Sequence, residues 1–323
     1  VCSSDLSEDS KQSYTLKGTT GAKGEFVRVT STFRDWIKAD GSTDFPPEAG
    51  RYHLYVSYAC PWANRTLIYR AMKGLEDVIS VNVVNHQLFA GGWHFDASDG
   101  STEDEIFGKQ RLREVYEASS PGFDGRVTVP VLFDKKTKRI VNNESSEIIR
   151  MLDTEFNAFA KHPDVHFRPE ELCARIDEAN DFIYPSVNNG VYRCGFATTQ
   201  EAYEEAFVEL FAALDKLEEI LSKSRYLAGN AITEADIRLF VTLVRFDPVY
   251  VCHFKCNQKR IRDYPNLWAY TCDLYQTPGI APTVNMFHIK NHYFKSHTMI
   301  NGYGIVPLGP EVDYTLPHGR ENM

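Results

Sequence analysis

A single cysteine in the segment Cys60-Pro61-Trp62-Ala63 is the strongest candidate for a reactive group. A stretch that alternates like a strand precedes it, and proline is well tolerated at the first position of a helix. Cys60 is therefore predicted to stand where a strand ends and a helix begins, a position whose free N–H groups and dipole favour a thiolate. Ala63 replaces the second sulfur of a Cys-x-x-Cys dithiol, so a mixed disulfide at Cys60 would need an external thiol to resolve it.

Two further motifs could bind a peptide-like ligand beside this cysteine. We expect the Val129-Pro130 bond to be cis, which turns the Val129 backbone toward Cys60 and lets it pair with an extended ligand. Glu144 and Ser145 precede a predicted helix, whose first N–H groups can bind a carboxylate while the Glu144 side chain accepts from an ammonium group. Together the three motifs predict a site for glutathione, because its γ-glutamyl end carries both charges.

Each motif also has a purely structural interpretation. A lone cysteine is often a small buried hydrophobic residue, and a proline such as Pro130 is ordinary in an edge strand. Residues 143–146 could simply cap a helix. The three motifs taken together favour the functional interpretation.

The elements around these motifs predict an α/β half of the thioredoxin-like type. Strands are expected at 51–56, 78–84, 127–134 and 139–142, with helices starting at Pro61 and near Ser145. Residues 85–125 are interpreted as an insertion, and residues 1–50 as an extended arm that wraps the body. The predicted glutathione-binding domain spans residues 51–160.

From residue 168 onward the pattern is helical and predicts an all-α C-terminal domain over 168–323. Apolar residues recur with helical spacing over 200–223, and Thr233 with Asp236 predicts the capped start of another helix. Residues 285–323 have no clear period and are expected to form an irregular tail.

Composition excludes several classes of partner. The chain carries 35 Lys and Arg against 44 Asp and Glu, a net charge of −9, so neither nucleic acid nor an anionic membrane surface is an expected partner. No apolar run is long enough to cross a bilayer. Seven cysteines, thinly spread, and no recognisable secretory signal favour a reducing compartment, either the cytoplasm or an organelle.

Two clusters of polar residues compete with the cysteine motif. Cys252, His253, Cys256, His288 and His292 are metal-type ligands, but their spacing is not that of a four-ligand zinc site, and we expect no metal. Arg238, Arg245 and Asp247 lie in an apolar helical stretch. We interpret them as a buried structural network whose charges are paired.

Five stretches closely resemble the glutathionyl-hydroquinone reductases, which are the Xi class of glutathione transferases. They are residues 51–70, 125–152, 188–197, 233–254 and 288–293, within a similarity that covers residues 26 to 310. The resemblance implies a thioredoxin-like N-terminal domain, an all-helical C-terminal domain and a homodimer. It also implies an enzyme whose cysteine takes the glutathionyl sulfur from a glutathionylated hydroquinone, after which a second glutathione releases oxidised glutathione.

The resemblance assigns roles to individual residues. Cys60 is the implied nucleophile, with Tyr192 and Tyr293 beside it as catalytic phenols. The implied glutathione contacts are Trp93, Val129, Glu144 and Ser145, with an arginine between residues 111 and 126 for which we choose Arg113. The tyrosines of the implied acceptor pocket are Tyr192, Tyr250 and Tyr293. Asn64 departs from the histidine that many relatives carry.

Flat apolar walls and phenolic donors suit an aromatic hydroquinone, and tyrosine O–H groups could stabilise charge on the departing ring. Two other functions are left open by the residues. One is an omega-like thiol transferase or dehydroascorbate reductase, and the other is a non-catalytic binding module of glutathione-transferase type. Conjugation of glutathione to electrophiles is expected to be poor, because a cysteine tends to form a disulfide with the glutathione thiol.

Overall fold

A computed structural model describes residues 19–323, and its first half is built on one mixed sheet. The strands are β1 (Tyr52–Val56), β2 (Ser80–Val83), β3 (Val131–Asp134) and β4 (Arg139–Asn142), in the order β2-β1-β3-β4. β1 is parallel to β2 and antiparallel to β3, and β4 is antiparallel to β3. All residues of β1 and β3 are buried, so the loops that follow β1 and precede β3 start from a rigid base.

Three helices belong to this half. α1 (Pro61–Met72) starts at its proline, as predicted, and ends before Lys73. α2 (Leu112–Ser119) lies within the segment that we interpreted as an insertion. α3 (Ser145–Thr154) starts at the predicted helix mouth and packs against α1.

The second half is helical. Its helices are α4 (Cys173–Ile183), α5 (Gly190–Phe196), α6 (Gln200–Leu221), α7 (Glu234–Arg245), α8 (Val251–His253), α9 (Pro265–Gln276) and α10 (Met286–Ser296). The predicted α6 and the predicted Thr233–Asp236 capping box of α7 are both confirmed. Within residues 19–323, no helix is both long and apolar enough to cross a membrane.

The prediction of an irregular tail over 285–323 is wrong at its start, because α10 occupies Met286–Ser296. Asn285 caps this helix, and its Oδ1 accepts from the His288 N–H at 3.0 Å. The buried face of α10 includes His288 and His292, whose ring nitrogens donate to the carbonyl oxygens of Asp99 and His86. A helix that buries hydrogen-bonded histidines carries no clear apolar period, and this explains the wrong prediction.

The predicted pairing of buried charges is confirmed only for Arg238, which contacts Glu234 at 3.1 Å. Asp247 accepts from the N–H groups of Ile261 and Arg262 instead. Arg245 is fully buried, and its described hydrogen bonds all go to neutral oxygens, including the carbonyls of Tyr58 and Ala59 at 3.0 Å each. These bonds tie the end of α7 to the loop that precedes Cys60.

Residues 19–50 run along both halves of the molecule and form isolated bridges rather than strands. The Gly24 carbonyl accepts from the Thr198 N–H at 2.9 Å, and the Phe33 N–H donates to Asn143 Oδ1 at 3.1 Å. This arm thus contacts the start of α6 and the start of α3. The first 18 residues of the predicted arm lie outside the described residues.

Candidate active site

One cavity of about 300 Å³ lies where the arm, the start of α1, the loop before β3, the start of α3 and α10 meet. The sequence-predicted residues that line it are Cys60, Trp93, Val129, Glu144, Ser145, Tyr192 and Tyr293. The two structural halves therefore place residues more than 200 positions apart around a single space.

Cys60 is the N-cap residue of α1 and stands half-buried in the cavity wall. Its Sγ lies 3.6 Å from the carbonyl oxygen of Val129, to which the thiol donates. The N–H groups of Trp62 and Ala63 act on the sulfur from the helix start. Its place at the helix start thus exposes the sulfur to the cavity and supplies N–H donors that can stabilise a thiolate.

The expected thiolate at Cys60 is not the form that this state favours. Burial raises the pKa of the Cys60 thiol above its ordinary value. The two helix N–H groups and the positive charges of Arg245 and Arg28 act in the opposite direction without overcoming burial. The sequence argument included the helix start but not the loss of water around the sulfur.

The Val129–Pro130 bond is cis, as predicted, and β3 starts directly after the proline. The Val129 residue is buried at the cavity wall, with its carbonyl directed at Cys60. An extended ligand can therefore reach the cysteine and the Val129 backbone from the same side of the cavity.

Glu144 and Ser145 lie at the start of α3, and both line the cavity. Glu144 caps the helix, since its Oε1 accepts from the Ser146 N–H at 3.1 Å. Its Oε2 faces the arm and accepts from Ser31 Oγ, also at 3.1 Å. Ser145 is buried, with its Oγ 3.4 Å from the guanidinium of Arg65. The helix mouth therefore offers donors beside an acidic acceptor.

Between residues 111 and 126, the arginine that lines the cavity is Arg126 and not the predicted Arg113. The Arg113 guanidinium donates to the carbonyl oxygens of Phe123 and Gly125, so it holds the loop that carries Arg126. Trp93 lines the cavity and stacks on His292, with ring centroids 5.1 Å apart.

The three predicted tyrosines form one chain of phenols. Tyr192 Oη lies 2.6 Å from Tyr293 Oη, which lies 3.0 Å from Tyr250 Oη. Tyr192 and Tyr293 line the cavity, but Tyr250 lies behind Tyr293 and does not. Burial raises the pKa of all three phenols, so each keeps its proton.

The burial of Tyr250 limits where the three phenolic protons can lie. The three hydroxyls share two hydrogen bonds, and in each bond either oxygen could be the donor. Tyr250 is fully buried, so its proton must lie in a bond to another phenol, because a buried donor without an acceptor is costly. Two of the three protons are then used within the chain, which leaves one phenolic proton, on Tyr192 or Tyr293, to donate into the cavity.

Sequence reasoning missed several residues that line the cavity. Phe26, Arg28 and Ser31 come from the arm. His292 comes from α10, and His297 is the residue that follows this helix. Nothing in the arm's extended, aperiodic sequence indicates which side chains turn inward. Trp62 was within the cysteine motif and could have been assigned from its position after Pro61.

The histidines near the cavity bind backbone and one another. His288 and His292 each donate to a carbonyl, and His253 Nε2 lies 3.1 Å from His297 Nδ1. In the part of the chain from residue 19 onward, no three His, Cys, Asp or Glu side chains are grouped so that they could hold a metal ion. Six cysteines in the described part of the chain are free thiols, and they are residues 60, 173, 194, 252, 256 and 272.

Comparison with known proteins agrees with this geometry. Residues 59–155 match the family described as glutathione S-transferase, N-terminal domain, and residues 200–271 match the corresponding C-terminal domain. The chain is 54% identical to glutathionyl-hydroquinone reductase YqjG of Escherichia coli over 94% of both chains. It is 51% identical to glutathionyl-hydroquinone reductase PcpF of Sphingobium chlorophenolicum, over 90% of this chain and 92% of that protein.

Solved structures give the same result. The glutathione-bound structure of YqjG from Escherichia coli has a TM-score of 0.87 at 55% identity, covering 91% of this chain and 97% of that one. Glutathione S-transferase Xi from Phanerochaete chrysosporium has a TM-score of 0.87 at 54% identity, covering 90% and 99%. The predicted α/β thioredoxin-like domain followed by an all-α domain is therefore confirmed as a glutathione transferase fold. The chain belongs to the Xi class of glutathione transferases, the family of enzymes that includes the glutathionyl-hydroquinone reductases.

Proposed function

We propose that the protein reduces glutathionyl-hydroquinones to hydroquinones through a mixed disulfide between Cys60 and glutathione. The observation that carries this proposal is that Cys60 and the phenols of Tyr192 and Tyr293 line the same cavity. A substrate of this class has a glutathionyl sulfur bonded to a phenolic ring. A thiol and phenolic donors in one cavity match these two parts of the substrate.

The glutathionyl half has complementary partners along one side of the cavity. The Glu144 carboxylate can accept from the γ-glutamyl ammonium, while the N–H and Oγ of Ser145 can donate to its carboxylate. The Val129 backbone pairs with the peptide, and Arg126 supplies a cation. Trp93 provides an apolar wall beside it.

The first step transfers the glutathionyl sulfur. The sulfur of Cys60 attacks it, an S–S bond forms, and the bond between sulfur and the ring carbon breaks with its electron pair left on the ring. The ring carbon then takes a proton. One thiol proton is lost and one carbon–hydrogen bond is made, so the step balances as thiol plus thioether giving disulfide plus hydroquinone. The sulfurs are oxidised and the ring is reduced.

The raised pKa of Cys60 means that the thiol must lose its proton as the sulfur attacks, because the thiolate is the nucleophile. The proton that leaves the thiol balances the one that the ring carbon gains. The free phenolic proton, on Tyr192 or Tyr293, hydrogen-bonds a ring oxygen as charge develops there.

The second step regenerates the cysteine. Ala63 occupies the place of a resolving cysteine, so a second glutathione attacks the mixed disulfide. Its thiol loses a proton, Cys60 regains one, and oxidised glutathione leaves. The sum of both steps consumes one glutathionyl-hydroquinone and one glutathione.

We further propose that the protein acts as a homodimer, on the basis of the family resemblance. Light scattering of the purified protein measures the mass directly. A mass of about one chain at working concentration would contradict a dimer without affecting the proposed reaction.

The reaction is tested by following products and the protein's own mass. Wild-type protein with glutathionyl-hydroquinone and glutathione is expected to give hydroquinone and oxidised glutathione in equal amounts, and its intact mass should show one glutathionyl adduct before the second thiol is added. Cys60→Ser should lose both. Cys252→Ser removes an exposed free cysteine and serves as the control, with both signals kept.

Two outcomes would redirect the proposal. Activity on dehydroascorbate or on mixed disulfides, with none on glutathionyl-hydroquinone, would indicate the omega-like function. Binding of glutathione with no turnover of either substrate would indicate a non-catalytic module. Full reduction by Cys60→Ser would contradict the cysteine mechanism altogether.

A further inference from the structure

Arg28 places a cation from the arm among the aromatic walls of the cavity. Its guanidinium carbon lies 4.7 Å from the ring centroid of Trp62, 5.0 Å from that of Tyr192 and 5.4 Å from that of Phe26. All four residues line the cavity. Three aromatic faces around one guanidinium fix its position and exclude water from much of it.

The hydrogen bonds of Arg28 leave most of its donors unused. Nε donates to Asn189 Oδ1 at 3.0 Å. Nη2 is buried and has no hydrogen-bond partner among residues 19–323. No carboxylate of that part of the chain pairs with this guanidinium, in contrast to Arg34 on the same arm, which pairs with Glu147. A partly desolvated cation with free donors is a strong attractor for an oxyanion.

The charge of Arg28 acts on the reacting end of the cavity. This positive charge acts to lower the pKa of the Cys60 thiol and that of the Tyr192 phenol, against the larger effect of burial, which raises both. Arg28 stacks on Tyr192, whose hydroxyl belongs to the phenol chain at the cavity. It therefore stands on the side of the cavity where the proposed function places the aromatic ring.

We propose that Arg28 is a specificity-determining residue that binds a carboxylate carried by the ring of the glutathionylated hydroquinone. This inference rests on the proposed function, because it names the substrate class within the same site. The acceptor ring would stack in the aromatic part of the cavity while its carboxylate takes the free Nη donors. The enzyme would then prefer glutathione thioethers of dihydroxybenzoic acids over those of neutral hydroquinones.

Glutathione itself carries carboxylates, and the experiment must separate them from a carboxylate on the ring. Both substrates to be compared contain the same glutathionyl group, so a contact between Arg28 and glutathione would affect them equally. The ratio of their kcat/KM values isolates the ring carboxylate.

The test measures this ratio for the thioether of a dihydroxybenzoic acid and that of unsubstituted hydroquinone. We expect the wild type to favour the acid, and Arg28→Met to lower the ratio about tenfold, the size of effect typical of a lost charge-assisted hydrogen bond. Arg28→Lys keeps the charge without the planar fork and should give an intermediate ratio. Arg34→Gln, on the same arm, should leave the ratio unchanged.

A binding measurement keeps the inference testable even if turnover fails. In the Cys60→Ser background, calorimetry with the two thioethers should show tighter binding of the acid, and adding Arg28→Met should abolish the difference. Equal loss for both substrates would assign Arg28 to glutathione or to the arm and would overturn the inference. Absence of any preference in the wild type would overturn it as well, whereas absent turnover with preserved binding preference would contradict only the proposed reaction.

Discussion

Tyr192 and Tyr293 share a hydrogen bond of 2.6 Å between their hydroxyl oxygens, although they lie on α5 and α10, 101 positions apart. Tyr250 Oη lies 3.0 Å behind Tyr293 Oη, so two hydrogen bonds join three hydroxyls and leave one of the three protons free. Two helices from distant parts of the sequence thus hold one phenolic donor at the cavity, on Tyr192 or Tyr293. The position of that proton can be tested by removing hydroxyls one at a time.

Tyr192→Phe is expected to lower turnover of glutathionyl-hydroquinone by about tenfold or more, because it removes one of the two phenols that can donate to the substrate. Binding of glutathione should persist. Tyr250→Phe should have a smaller effect, since Tyr293 and Tyr192 keep their hydroxyls. Tyr303→Phe, at a side chain that is 95% exposed, is the control. Equal turnover in Tyr192→Phe and the wild type would contradict the donor role.

Arg245→Met should weaken both stability and the reactivity of Cys60. The variant leaves the carbonyls of Tyr58 and Ala59 without their donor in a buried place, at a cost on the order of 3 kcal/mol. It also removes a positive charge that opposes the raised pKa of Cys60, so the pKa rises further and less thiolate is present at neutral pH.

Denaturant midpoints measure the stability change, and the rate of alkylation of Cys60 against pH measures the thiol. Cys252→Ser in the same background prevents the exposed cysteine from contributing to the alkylation signal. Arg139→Met, at an exposed arginine, is the matched control. An unchanged alkylation profile in Arg245→Met would show that the buried charge does not act on the sulfur.

Stability should fall as the solution is acidified below about pH 6.5. Burial lowers the pKa of His53, His86 and His292 to about 4 and that of His253 to about 3. In the unfolded chain these histidines bind protons below their ordinary pKa of about 6.5, while the folded protein holds them neutral. Their contribution is therefore complete above that value and is lost as the pH falls from it toward 4.

Each of these histidines should cost on the order of 1 kcal/mol of unfolding free energy at pH 5.5. Urea midpoints at pH 5.5, 6.5, 7.5 and 8.5 measure the loss. Titration of these histidines should change the midpoint little between pH 7.5 and 8.5, because they are then mostly neutral in the folded and the unfolded chain. A midpoint that is constant from pH 7.5 to 5.5 would contradict the buried neutral state.

Asn285→Ala tests whether α10 is needed for the site. The cap of this helix is a side-chain bond to the His288 N–H, and its loss should cost about 1 kcal/mol. Because α10 carries His292 and Tyr293, turnover per folded molecule should fall together with stability.

Thr233→Ala removes the cap of α7 at a comparable cost and serves as the control. It should reduce the unfolding midpoint without reducing turnover per folded molecule. If both variants left turnover unchanged, the position of Tyr293 would not depend on the start of α10.

The sheet and the main helices could be predicted because their signals are local. Pro61 marks the start of α1, Thr233 and Asp236 cap α7, and α6 repeats its apolar residues at helical spacing. The cavity-lining residues Val129, Glu144 and Ser145 could be predicted for the same reason, since each lies just before or at the start of an element.

The remaining parts of the site depend on contacts that no local pattern contains. Arg28 is held by Asn189 and by aromatic rings from other elements, and Arg245 is buried against backbone carbonyls rather than an acid. One ring nitrogen of each of His288 and His292 donates to a carbonyl, that of Asp99 and that of His86. Long-range hydrogen bonds make polar residues suitable for the interior, and a one-dimensional sequence does not show where those partners will be.

The walls of the active-site cavity extend from Phe26 to His297, so they come from nearly opposite ends of the described chain. During synthesis on a ribosome, the sheet and α1 can form long before the segment that carries Tyr293 has emerged. The Cys60 sulfur is then positioned early at the start of α1 and enclosed only later. A fragment that stops before α10 would present an open cysteine without its aromatic enclosure, and a cut in the arm would have a similar effect on the opposite wall.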